Sequence, residues 1–93
     1  MAKISMPVEA GNQAIKDGKL AAAMQRAVEQ WKPEAMYYTT FDGQRTAFMV
    51  FDMPDTSVIP PFAEPFFMEL NANVQLVPVM NSDDLQKGLS QLG

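Results

Sequence analysis

The chain has no histidine and no cysteine among its 93 residues. Without cysteine there is no disulfide, no thiolate nucleophile and no Cys-based metal site. Without histidine the commonest general base and the commonest metal ligand are both missing. Any catalysis falls to Asp, Glu, Tyr, Lys, Arg, Asn or a hydroxyl. Basic residues are also scarce: seven Lys and Arg against eleven Asp and Glu give a net charge of −4. Lys3, Lys16, Lys19, Arg26, Lys32, Arg45 and Lys87 are scattered, so no basic patch exists to neutralise a phosphate backbone, and no nucleic-acid partner is expected. No apolar run reaches the length of a membrane span, and Met1 to Gly11 lacks the apolar centre of a signal peptide. No membrane partner and a cytoplasmic location are the expectation. Glycine-rich phosphate loops and serine-nucleophile motifs are absent, and Asp83-Asp84 falls far short of a calcium loop. No metal and no cofactor are expected.

What is present is apolar: six Phe, two Tyr, one Trp and eight Met, with 47% hydrophobic residues. Such a composition argues for a folded single domain over residues 1–93 rather than disorder. A domain this short buries only roughly 60–65% of its unfolded surface, so extra burial in an oligomer would help it.

Lys3 to Glu9 alternates, with Ile4, Met6 and Val8 on one side, and predicts a half-buried strand shortened or placed at an edge by Pro7. A helical stretch opens at Gly11-Asn12 and is interrupted at Asp17-Gly18. Leu20, Met24, Ala27, Val28 and Trp31 then define the apolar face of a helix that Pro33 ends. Ala35 to Phe41 and Arg45 to Met53 are β-rich runs joined at Asp42-Gly43, a strong hairpin signal. Thr56, Ser57 and Pro60-Pro61 suit the start of a helix whose stripe is Ile59, Phe62, Phe66 and Leu70, with a kink or late start at Pro65. Val74 to Met80 reads as a strand. Asn81-Ser82 starts a short helix with Asp83 and Asp84 in its first turn and Leu85, Leu89 and Leu92 as its buried edge.

The order is βαββαβ plus a C-terminal helix: an α+β, ferredoxin-like arrangement with a four-stranded antiparallel sheet and helices on one face. One face of the hairpin is expected to carry Tyr38 with Phe48 and Val50, the other Tyr37 and Phe41 with Met49, Phe51 and Met53. A sheet covered on one side only should have a polar second face. Two apolar faces call for a second copy of the chain packed sheet to sheet, or for the C-terminal helix to cover part of the second face.

The stretches "PVEAGNQAIKDGKL", "KPEAMYYTTFDGQRTAFMVFDM", "IPPFAEPFFMELNANVQLVPVM" and "SDDLQKGL" cover most of the chain. In them the sequence resembles the dimeric α/β-barrel superfamily, which includes cofactor-free monooxygenases and muconolactone-isomerase-like enzymes, and most closely an uncharacterised bacterial family within it. The resemblance implies a dimeric α/β barrel. It transfers no catalytic residue, because the better-known enzymes often rely on His, or on Asn and Trp around a polycyclic substrate. This chain has no His, and Trp31 falls on a core-facing helix stripe.

Four residues are candidate ligand contacts. Tyr37 and Tyr38 each bring an apolar body and a hydroxyl, which either orient a small carbonyl compound or simply fill a sheet. Arg45 can hold a carboxylate bidentately or pair with Asp42 at the surface. Glu64, between Phe62 and Phe66, is either a general base among aromatics or a solvent-facing residue between two buried ones. Asp52 is a weaker carboxylate candidate, and Asn73 and Gln75 either line a pocket or face water. The methionines suit an adaptable cavity as well as a plain core. The expectation that follows is a homodimer binding a small, apolar organic molecule in a cleft between helices and sheet. The alternatives are a cofactor-independent isomerase or monooxygenase, and a structural or protein-interaction module assembling through a strand edge.

Overall fold

In the computed structural model, which describes residues 1–93, the alternation at the N-terminus forms strand β1, Ala2–Met6. Ala2, Ile4 and Met6 are buried on one face, and Lys3 and Ser5 are half-buried on the other. The strand stops earlier than its alternation suggests. Pro7 caps helix α1, Val8–Lys16, so Val8 and Glu9 are helical and exposed rather than extended. A proline has no N–H to lose at a helix start, where that group would be unpaired anyway. Gly11 does not open this helix but lies buried within it.

Gly18, at φ 79°, breaks the chain as expected and admits α2, Lys19–Trp31. Ala23 and Ala27 are its buried residues, with Leu20, Met24 and Trp31 half-buried beside them and Val28 exposed. The hairpin follows as β2, Ala35–Phe41, and β3, Gln44–Val50. Asp42 and Gly43 both have positive φ, 53° and 74°, as a two-residue type I′ turn requires.

A two-residue turn pairs Phe41 with Gln44, and so odd positions with even ones along the whole hairpin. Tyr37 is opposite Phe48 and Tyr38 opposite Ala47. This corrects the expected faces: Tyr37, Phe41, Phe48 and Val50 share one side, while Tyr38 lies with Met36 and Met49 on the other.

One turn of 3-10 helix, Thr56–Val58, leads into α3, Ile59–Leu70. The Ser57 hydroxyl donates to the Asp55 carboxylate at 2.6 Å and holds its pKa below the ordinary value of 3.8. Replacing Ser57 by Ala should raise that pKa, as read from the Asp55 carboxyl signal in an NMR pH titration. Because the folded value is depressed, Asp55 favours the fold above the ordinary carboxylate range and ceases to as pH falls through the folded value.

Pro65 sits inside α3 without delaying its start. Phe62, Ala63, Phe66 and Leu70 are buried, and Ile59 and Phe67 stay exposed. Asn71, left-handed at φ 51°, ends the helix. Strand β4 is only Asn73–Leu76.

The sheet is open and antiparallel, in the order β2-β3-β1-β4. Its inner face (Ala2, Ile4, Met6 and Met49) joins Ala14, Ala23, Ala27, Phe62, Ala63, Phe66 and Leu70 in one core. Phe62 is central: it stacks on Phe51 at 4.6 Å and meets Trp31 at 5.6 Å and Phe66 at 5.4 Å. No helix is long and apolar enough to cross a membrane.

The C-terminal segment departs from expectation. The last helix, α4, spans Ser82–Leu89 and begins with a full capping box between Asn81 and Asp84. Yet every residue from Val77 to Gly93 is exposed, and Leu85, Leu89 and Leu92 are not a buried edge within this chain. Val77 still exchanges hydrogen bonds with Met1, and beyond it the chain leaves the body as an arm. The radius of gyration is accordingly 15.1 Å, against about 12 Å for a compact domain of this length. The arm does not cover the outer face of the sheet.

Candidate functional site

Helices α1, α2 and α3 leave part of the sheet's inner face bare beside β2. The result is an open cleft of about 410 Å³. Ile4 and Met6 of β1 and Ala47 of β3 come from the inner face, Leu20 and Met24 from α2, and Tyr38, Thr40 and Arg45 from the hairpin. The strand positions follow from register: Met6 pairs with Arg45, Arg45 with Thr40, Ile4 with Ala47, and Ala47 with Tyr38.

Two of the four candidates therefore meet here. Tyr38 is 64% exposed and lines the cleft beside Ala47, its partner across the hairpin. Arg45 is half-buried, and its guanidinium is anchored on α1: Nη2 donates to Asn12 Oδ1 at 2.9 Å and Nη1 to the Val8 carbonyl at 3.4 Å. It does not pair with Asp42, which instead faces Lys3 at 3.9 Å. No carboxylate lies within salt-bridge distance of Arg45.

The other two candidates lie elsewhere. Tyr37, 67% exposed, is on the outer face, next to Phe48 across the hairpin. Glu64 is on the exposed flank of α3 and lines neither this cleft nor the smaller one. Asp52 is exposed just past β3, and Asn73 and Gln75 pair with Ser5 and Lys3 as exposed residues of β4. The cleft contains no Asp or Glu.

Sequence reasoning missed Gly11, Asn12, Leu20 and Met24 as parts of this site. Leu20 and Met24 were legible only as helix core. For Gly11 the available signal was a glycine within a run otherwise able to form helix, which weakens a helix by about 1 kcal/mol relative to Ala. A Cβ at Gly11 would lie 2.7 Å from Arg45 Nη1 and 3.0 Å from Met6 Sδ.

A smaller cleft of about 210 Å³ lies between α2 and α3, lined by Trp31, Pro61, Phe62 and Pro65 among others. An ion pair between Arg26 and Glu69 crosses it, so its charged groups already satisfy one another. On the outer face, Phe41 meets Phe48 edge-on at 5.7 Å and carries the Lys3 ammonium at 4.2 Å.

No family model, curated protein or solved structure matches the chain.

Proposed function

We propose that the protein binds a small, largely apolar organic molecule in the cleft between α2 and the hairpin, and does so as a homodimer with a ferredoxin-like fold. The observation that carries the binding reading is the cleft itself. It is floored by Ile4, Met6 and Ala47 and walled by Leu20, Met24 and Tyr38, and its polar residues, Thr39, Thr40, Arg45 and Thr46, all come from the hairpin. Ligand sites usually have this makeup, an apolar lining with a few convergent polar groups. The antiparallel β2-β3-β1-β4 order supports the fold assignment. The exposed Tyr37 and Phe41 and the half-buried Phe48 and Val50 beside them on the outer face, together with the apolar arm, support the dimer.

The test is an NMR titration with 1-naphthaleneethanol, a neutral bicyclic probe, following the methyl signals of Met6 and Met24. Saturable shifts of both are expected. Ala47→Leu, which enlarges a floor side chain that is only 4% exposed, should weaken binding at least tenfold, measured at a temperature where the variant's own melting curve shows it folded. Methyl signals that stay in place at millimolar probe would sink the reading.

A further inference from the structure

We infer that the cleft selects an anionic form of its apolar ligand, a carboxylate being the simplest, and that Arg45 is the group that binds it, held in place by Gly11 and Asn12. The inference rests on the cleft being a ligand site and adds the charge of the ligand.

The chain carries an excess of acid; of its other six cations, Lys3, Lys19 and Arg26 face Asp42, Asp17 and Glu69, and Lys16, Lys32 and Lys87 are exposed and line neither cleft. Arg45 has only neutral partners, a backbone carbonyl and a side-chain amide, and these take two of its N–H donors. The remaining donors of the planar guanidinium are free for the paired oxygens of a carboxylate, the geometry in which arginine binds most strongly. Arg45 is also half-buried against Met6, where solvent screens a charge less than at an open surface.

The anchoring is specific. Gly11 is a buried mid-helix glycine without positive φ, so no backbone conformation demands it. What demands it is space. A methyl group there would lie 2.7 Å from Arg45 Nη1, and the guanidinium would have to leave its seat on Asn12 and Val8. The far end of an arginine moves readily, so alanine should displace the charge without breaking the helix, which it otherwise favours. Gly11 and Asn12 are positioning residues, and Arg45 is the binding residue.

The experiment compares 1-naphthylacetate with 1-naphthaleneethanol, the same ring system with and without the carboxylate, by the Met6 and Met24 methyl shifts in the full chain. The acetate is expected to bind about tenfold or more tightly. Arg45→Met should weaken the acetate far more than the alcohol and so abolish the difference between them. Gly11→Ala and Asn12→Ala should each reduce the preference several-fold, with Gly11→Ala melting no lower than the parent. Equal binding of the two probes, or a preference that survives Arg45→Met, overturns the anion inference and leaves the cleft reading standing. Failure of both probes overturns the cleft reading itself. A third outcome also overturns it: Met6 and Met24 signals that move with protein concentration, but no longer do so in Leu89→Lys, mean that the acidic, leucine-bearing arm of a second copy fills the cleft.

Discussion

Phe62→Ala is expected to destabilise the protein by about 3–5 kcal/mol, the range for removing a buried aromatic ring. The ring is 1% exposed and touches Trp31, Phe51 and Phe66, so α2, the segment just past β3 and α3 all lose their common contact. Alanine leaves a cavity that three rings held by different elements cannot close together. For a domain of this size the loss corresponds to a fall of roughly 15–30 °C in melting temperature. It is also a large share of the ~5–14 kcal/mol that holds such a domain together. Phe62→Leu should cost about 1–2 kcal/mol, because leucine refills part of the volume. Phe67→Ala, on the exposed side of the same helix, should cost about 1 kcal/mol or less. Calorimetry at one fixed protein concentration makes the comparison, since association also raises the apparent stability. A Phe62→Ala variant melting within a few degrees of the parent would show that the aromatic cluster does not organise the core.

Phe48→Glu is expected to convert the proposed dimer into a monomer, raising the dissociation constant at least a hundredfold. Phe48 lies on the outer face between Tyr37 of β2 and Lys3 of β1, at the middle of the four strands. A carboxylate there would be buried without a partner on forming a sheet-to-sheet contact, and such burial is strongly unfavourable. The monomer itself should still fold, because Phe48 is only half-buried in a single chain and the substitution costs it mainly its edge-on contact with Phe41. Met68→Glu, on a side chain 79% exposed on α3, is the matched control and should leave association unchanged. Light scattering after size exclusion reads both. A parent chain that elutes as a monomer at 100 μM would remove the dimer from the proposal.

The size of the contact bears on what else takes part. Four strands about 4.8 Å apart, with residues rising about 3.3 Å, give a footprint of roughly 20 by 20 Å. Stable interfaces bury about 800 Å² on each partner. The sheet face alone falls short of that, and the arm with Val77, Val79, Met80, Leu85, Leu89 and Leu92 supplies further apolar surface.

The elements were legible where local chemistry decides them. Asp42-Gly43 set the hairpin, Gly18 the break between helices and Pro33 the end of α2, because each acts through its own backbone. The four-stranded antiparallel sheet followed from their order. Side-chain direction was less legible. The expected grouping of Tyr37 with Met49 on one face is off by one position, since the alternation of each strand is visible in sequence but the two alternations are tied together only by the length of the turn between them. Pro7 was read as a strand residue because Val8 continued the alternation, but a proline cap and a strand edge leave the same local mark. The leucines of α4 show helical spacing whether the surface they meet lies in the same chain or another.

The site was half legible. Tyr38 and Arg45 stood out by residue type, and the register brings them to one cleft. Gly11 and Asn12 could not be paired with Arg45 in advance, because a contact spanning more than thirty positions depends on how α1 lies across β1 and β3. Glu64 drew attention through its aromatic neighbours in sequence, and the helix turns it away from them.

The arm gives the molecule two regions under separate rules. A helix of eight residues is marginal in water even when well capped, so Ser82–Leu89 adds almost nothing to the folding of the chain that carries it. Substitutions beyond Val77 therefore leave the core's shape alone, and in the proposed dimer their effect falls on association rather than on architecture.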